Sequence, residues 1–205
     1  NPRVVGLNIV FSEPEENAGL QEIESLEALF YDSFPGGYAF AGLEEAPEPE
    51  AVSQTPVGRF SQALKESKQR LDRDSILARA IEASGNVVLP IMFKDSLLAA
   101  DDNQEIDASL KAQSLGSVWA TPGLSCPRAS DAILPIPEFR KSAAGMGHIN
   151  YAPDRDGTFR QERLFYEYKN HYIPSYPLII TARYLNIDPA DITAYIGRTL
   201  TVGEI

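Results

Sequence analysis

The sequence predicts an α/β fold: a mixed, largely parallel central sheet with helices packed on its faces, in a single domain. Three observations carry this. Arg3 to Phe11 (RVVGLNIVF) and Val87 to Phe93 (VVLPIMF) are short apolar runs rich in β-branched residues, suited to neighbouring central strands buried on both faces. Between them lie stripes of apolar residues at helical spacing, so the two strands are joined through helices, and such a crossover is right-handed. From Thr158 to Tyr168 the chain turns aromatic with a period near two, which favours a strand over a helix.

In chain order, the first strand ends at Ser12-Glu13-Pro14-Glu15-Glu16. Asn17 is a fitting helix cap, and Leu20, Ile23, Leu26 and Phe30 then recur on one helical face. From Phe34 the pattern breaks: 35–58, rich in Gly, Pro and Glu, reads as a long surface loop or insertion. Arg59 to Ser84 is helical, with two apolar stripes out of register, which predicts a break near Asp72 to Asp74, with Asp74 capping the second helix. Gly85-Asn86 stops it. Pro90 is awkward inside the next strand, since it cannot donate to a ladder; a bulge or an edge position would resolve this.

The chain from Lys94 to Ser130 gives the weakest pattern. Ser117 to Ala120 reads as a short strand with Trp119 covering core, and Ile133 to Pro135 as extended. Pro137 to Ala144 reads as a short helix with proline in its first turn, ended by Gly145. Lys169-Asn170 marks a hairpin turn. In the helix from Pro174 to Leu185, Ser175 caps and Pro177 lies in the first turn. Ile192 to Ile196 and Thr199 to Val202 are two short strands.

With 205 residues, 43% of them hydrophobic, the chain can bury a real core. A net charge of −11 argues against nucleic acid, whose phosphates need clustered Lys and Arg, and disfavours docking on anionic lipid. Cys126 is the sole cysteine, so no internal disulfide forms, and no metal-ligand spacing surrounds it; it reads as an inert thiol. No apolar run reaches the about 20 residues a spanning helix needs, and no signal peptide is visible.

The chemistry-bearing stretch is Gly145 to Tyr168. Asp154-Arg155-Asp156-Gly157 is a tight acidic turn, with Gly157 supplying positive φ. It matches the opening of a calcium loop but lacks the later oxygen ligands, so a structural turn is the better reading. Arg160 presents a planar fork that suits a carboxylate: a pair with Asp154 or Asp156 is the plainer reading, and capture of an anionic ligand the sharper one. His148 and His171 are the only histidines, too few for a zinc site of their own; His148 reads as a core or rim histidine with satisfied bonds. Glu13, Glu15 and Glu16 follow the first strand, where open α/β sheets place ligands, and a hydrolase using that cluster is one alternative. A scaffold binding a protein through the 34–58 loop is another. No nucleophile elbow, phosphate loop or dinucleotide fingerprint is present.

Three blocks resemble the CHASE2 family. Val5-Gly6-x-x-Ile9-x-Phe11-x-Glu13-Pro14 is the first. Asp74-x-x-Leu77-Ala78-x-Ala80 followed by Val87-Val88-Leu89-Pro90 is the second. The third and most specific is Leu134-Pro135, then Ala143-Ala144-x-x-Gly147-x-x-Asn150, then Asp154-x-Asp156-Gly157-x-x-Arg160 with Leu164 and Pro174-Ser175. Departures are Asn8 where an aspartate is usual, Arg163 where proline is frequent, Tyr176-Pro177 before Leu178, and the insertion around Glu44 to Pro56.

The resemblance implies an extracytoplasmic sensory module of a bacterial transmembrane receptor, noncatalytic in itself. Its output, a kinase or nucleotide cyclase, would lie elsewhere on the protein. On this reading the chain is expected to be the central portion of such a domain, facing outward from the inner membrane, with transmembrane helices outside residues 1–205. Its partner would be a small molecule or environmental signal; no nucleic acid and no cofactor is expected, and a homodimer is an assembly open to it. The candidate ligand-contacting residues are Glu13, His148, Asn150, Asp154, Asp156 and Arg160. No catalytic or metal-ligating residue is assigned.

Overall fold

The computed structural model describes residues 2–33, 55–94 and 105–204. The fold is α/β, as the alternation of runs predicts, and the chain divides into two compact units, Asn1–Pro14 with Ala78–Ile205, and Glu15–Leu77.

The unit Glu15–Leu77 is helical. Helix α1 (Ala18–Ser33) is capped by Asn17, whose Oδ1 accepts the Leu20 N–H while its Nδ2 donates to the Leu71 carbonyl. It packs on α2 (Pro56–Leu71) through Phe30 and Phe60, and Lys68 of α2 pairs with Glu24 and Glu27 of α1. Helix α2 begins three residues earlier than the stripe suggests, because Thr55 caps it by accepting from Gly58 N–H and Pro56 occupies the first position. So 55–58 is helix and cap rather than loop, while 34–54 lies outside the described residues. The helix breaks at Asp72, and α3 (Arg73–Ser84) follows. Asp72, not Asp74, caps it: its carboxylate accepts from both the Ser75 N–H and the Ser75 hydroxyl. The Asp74 carboxylate instead accepts from the Glu15 N–H. Gly85 ends α3 with φ of 64°.

The other unit is built on β2 (Val87–Lys94). Two parallel strands flank it, β1 (Val5–Gly6) on one edge and β5 (Gly145–His148) on the other; β4 (Asp131–Ile133) runs antiparallel beside its last residues. β1 and β2 are neighbours as expected, but β1 lies at the edge and is two residues long, not the nine of the apolar run. Proline explains the shortening. The carbonyls of Asn86 and Val88 face β1, accepting from Val5 and Leu7, and residues two apart in a strand face the same way. The next residue aimed at that edge is Pro90, which has no N–H to give. Pairing with β1 therefore stops, and β4 takes over the edge from Met92. Pro90 thus sits fully buried in a central strand with its missing donor facing the gap between two partners.

The remaining strands form two smaller sets. β3 (Ser117–Ala120) pairs parallel with β8 (Ile192–Ile196), which pairs antiparallel with β9 (Thr199–Val202). β6 (Phe165–Tyr168) and β7 (His171–Pro174) form a hairpin whose turn residues Lys169 and Asn170 both have positive φ, the two-residue turn that matches strand twist. The extended run expected from Thr158 is thus a strand only from Phe165, with one isolated bridge between Tyr151 and Glu162. Trp119 does not cover core: it is 56% exposed. Its register partner is Tyr195, whereas Val118 lies beside Ala194 and packs into the core cluster of Leu115, Leu178, Ala182 and Ile192.

Two short helices complete the unit, α4 (Ala108–Lys111) and α5 (Pro137–Ser142). Gly145 does not end α5; the cap is Ala143, and Gly145 opens β5. Helix α6 (Tyr176–Leu185) starts at Ser175, whose hydroxyl accepts from the Leu178 N–H, and packs over β2 and β5. Its close approach needs Gly147, where a Cβ would lie 2.6 Å from the Tyr176 Cα and 2.7 Å from the Ser175 carbonyl carbon.

Candidate functional site

Five of the six candidate residues follow one another along the exit from β5, at the carboxyl end of the parallel strands. His148 is its last residue and is 1% exposed. Its ring meets Tyr166 edge-on at 4.8 Å and Phe93 at 5.9 Å. Neither ring nitrogen has a hydrogen-bond partner among the described residues, contrary to the satisfied histidine expected from its apolar neighbours. Burial, with a smaller contribution from the positive Arg163, pushes its pKa down to about 3. A neutral imidazole is what such a pocket favours, since desolvation penalises the charged form. Arg163 donates to the Tyr166 hydroxyl at 2.6 Å.

Two residues on, Asn150 acts as one more rung of the sheet. The Phe93 N–H donates to its Oδ1 at 2.8 Å, and its Nδ2 donates to the Phe93 carbonyl at 2.7 Å. The side-chain amide therefore replaces a backbone peptide where β5 has already turned away.

The acidic turn closes as its sequence predicts. Gly157 N–H donates to the Asp154 carbonyl, Asp154 N–H to the Thr158 carbonyl, and Gly157 takes φ of 78°. Arg160 reaches back with a fork: Nη1 and Nη2 meet the two oxygens of Asp156 at 3.0 and 2.9 Å, and Nη1 also meets Asp154 at 3.0 Å. The pairing lowers the Asp156 pKa and raises that of Arg160. Both side chains are more than half exposed, so the cluster is a hydrated clamp on its own turn. Both carboxylates that a calcium loop would offer are engaged by Arg160.

Glu13 stands apart from these five. It is exposed and, among the described residues, forms no hydrogen bond or ion pair with them. Its neighbour Glu15 belongs to the helical unit, where it pairs with Arg73 at 2.9 Å. The acidic cluster is thereby split.

One concavity escaped the sequence. A cleft of about 400 Å³ opens between the segment Ser125–Pro127, the approach to β6 from Glu162 to Phe165, and the β8–β9 hairpin from Ala194 to Leu200. Its walls are tied together: Glu167 N–H donates to the Pro127 carbonyl, Ala129 N–H to the Glu167 carbonyl, and Arg128 pairs with the Glu167 carboxylate at 2.9 Å. Cys126 faces this cleft with its thiol pushed up to about 11 by burial and by nearby Glu167, so it is present as a neutral, unreactive thiol. Three separate chain segments assemble the cleft, which is why no local pattern announces it.

The CHASE2 domain model matches residues 1–204, and the chain belongs to that family, a family of extracytoplasmic sensory domains of receptors. Comparison with curated proteins and with solved structures gave no match. Among the described residues, no helix is long and apolar enough to cross a membrane.

Proposed function

We propose that this chain senses a small molecule or environmental signal on the outer face of a bacterial inner membrane, within a transmembrane receptor. A cytoplasmic kinase or nucleotide cyclase would carry the output. The observation that carries the reading is the family match, which covers residues 1–204. The geometry supports a binding role over a catalytic one. Glu15 is committed to Arg73, Asp154 and Asp156 are committed to Arg160, and Cys126 is held neutral. Signal transfer then follows from a ligand that binds one arrangement of the receptor more tightly than another and shifts their populations. Neither nucleic acid nor the bilayer surface suits a domain of net charge −11, and pairing as a homodimer is compatible with this role.

Membrane topology tests the reading directly. In the full reading frame, alkaline phosphatase fused after Val202 is expected to be active and a green fluorescent protein at the same point dark. A fluorescent, phosphatase-silent pair of fusions would put the domain in the cytoplasm and end the proposal.

A further inference from the structure

We propose that the cleft between Ser125–Pro127, the approach to β6 and the β8–β9 hairpin binds a small amphipathic organic anion, a carboxylate on an apolar body. This names a ligand class for the sensor reading and rests on it for its biological role; the binding itself stands or falls separately.

Size and lining point this way. About 400 Å³ lies within the range of small-molecule sites. Phe165, Ala194, Ile196 and Leu200 line it with apolar surface. Ala194 belongs to the core cluster that α6 joins through Leu178 and Ala182, and Phe165 and Leu200 pack against that cluster, so the cleft borders the core. Such a surface binds an apolar body by removing it from water.

Charge gives the ligand its sign. Arg163 and Arg198 line the cleft against a single carboxylate, Glu162, in a chain whose overall balance is −11. Arg198 sits in the β8–β9 turn with its guanidinium 4.9 Å above the Tyr195 ring. Stacking of this kind holds the plane and leaves the N–H edge able to meet a carboxylate. Among the described residues Arg198 forms no ion pair. Arg163 is oriented by its hydrogen bond to Tyr166. The neutral Cys126 thiol adds no opposing charge.

The hairpin turn is braced where the ligand would press. Gly197 has φ of 83° in the hairpin turn, and a Cβ there would collide with the Leu124 side chain, so the turn lies directly against the 121–124 segment. The Thr121 hydroxyl donates to the Ile196 carbonyl. These contacts brace the hairpin turn against the 121–124 segment, and bracing of this kind lowers the ordering cost of capture.

The test is titration of the purified chain with benzoate, phenylacetate and octanoate, each beside its neutral amide, followed by methyl NMR and calorimetry. At least one carboxylate is expected to shift the Ile196 and Leu200 methyl signals and to bind at least ten times more tightly than its amide. Arg198→Ala, at an exposed position, is expected to weaken it tenfold or more, Arg163→Ala to weaken it as well, and Arg160→Ala to leave it unchanged. The proposal is overturned if none of the three carboxylates binds, if amides bind equally, if Arg198→Ala has no effect in a chain with an otherwise native spectrum, or if the shifts map elsewhere. The topology fusions above do not depend on any of these results, so loss of one reading leaves the other to be judged alone.

Discussion

Asn150 and Phe93 exchange two hydrogen bonds, the amide of one side chain against the backbone of the other, at 2.7 and 2.8 Å. A side chain thereby extends a parallel ladder beyond the point where strand β5 ends. The Phe93 ring itself lies against His148, Tyr166 and Tyr168. Asn150 is thus spoken for: its amide is used by the sheet, and the family-like spacing Gly147-x-x-Asn150 has a structural explanation.

Replacing Asn150 is expected to cost stability. Asn150→Ala strips a half-buried donor and acceptor of their partners, a loss of about 1–3 kcal/mol. Asn150→Asp keeps the acceptor but turns the donor into a second carboxylate oxygen facing the Phe93 carbonyl, so it should rescue little. Urea unfolding of both variants measures this. Unchanged midpoints would mean that the pair contributes nothing and would return the amide to the list of ligand contacts.

The clamp made by Arg160 should behave as a coupled but weak unit. Its partners are hydrated, and exposed pairs stabilise little. Arg160→Ala and Asp156→Ala are each expected to lower the melting temperature slightly, and the double variant to match the larger single effect instead of the sum. The depressed Asp156 pKa fixes the sign with pH. Its contribution is present above the ordinary value of 3.8 and is lost as pH falls below it. Melts of wild type and Arg160→Ala should therefore differ at pH 6 and draw together as pH falls below 3.8. A gap that widens in acid would contradict the pairing.

What the sequence made legible was local. Asn17, Ser175 with Pro177, and Lys169-Asn170 carry their structural roles within a few residues, and each acts as its local pattern predicts. The pair from Arg160 to Asp154 and Asp156 also spans six residues or fewer. Arg3 to Phe11 pairs over only two residues because its partner sets its length: Pro90, far along the chain, withdraws the donor that a longer strand would need. Asp74 and Asp72 both fit the cap by type, and only the helix start distinguishes them. His148 lost its expected partners for a similar reason, since its surroundings come from β2 and β6. The cleft is the extreme case, with Cys126, Phe165 and Arg198 brought together from three distant segments.

Gly147 gives the sharpest steric forecast. A methyl there would fall 2.6 Å from the Tyr176 Cα and 2.7 Å from the Ser175 carbonyl oxygen, and backbone cannot step aside as a side chain can. Gly147→Ala should force α6 away from β5 and cost about 1–3 kcal/mol or more, the range for overpacking a filled interior. Gly157→Ala is the control. Nothing lies within 4 Å of its would-be Cβ, and only its φ of 78° opposes the change, a strain of about 1–2 kcal/mol. Denaturation of the two variants side by side should rank Gly147→Ala as the more damaging. Equal losses would show that α6 does not press on β5 as described.

His148 makes stability depend on pH between about 3 and 6.5. In the folded chain burial holds its pKa down to about 3, while the ordinary value is 6.5. Between these limits the unfolded chain binds a proton that the folded chain refuses, so stability rises with pH through that window. One such group gives a slope of up to about 1.4 kcal/mol per pH unit. Above pH 6.5 both states are neutral and the effect vanishes; below about 3 both are charged and the full loss has been taken. His148→Phe removes the titrating group and replaces two unpartnered nitrogens with carbon among Phe93 and Tyr166, where an aromatic ring already fits. The variant is expected to be at least as stable as wild type at pH 5 and to show a flatter profile from pH 4 to 6.5, since carboxylates with lowered pKa values, such as Asp107 and Asp131, lose their contribution mainly below 3.8. Urea midpoints across that range decide the matter. If wild type and His148→Phe lose stability in parallel on acidification, the histidine is not held neutral in the fold, and a proton or partner must reach its ring.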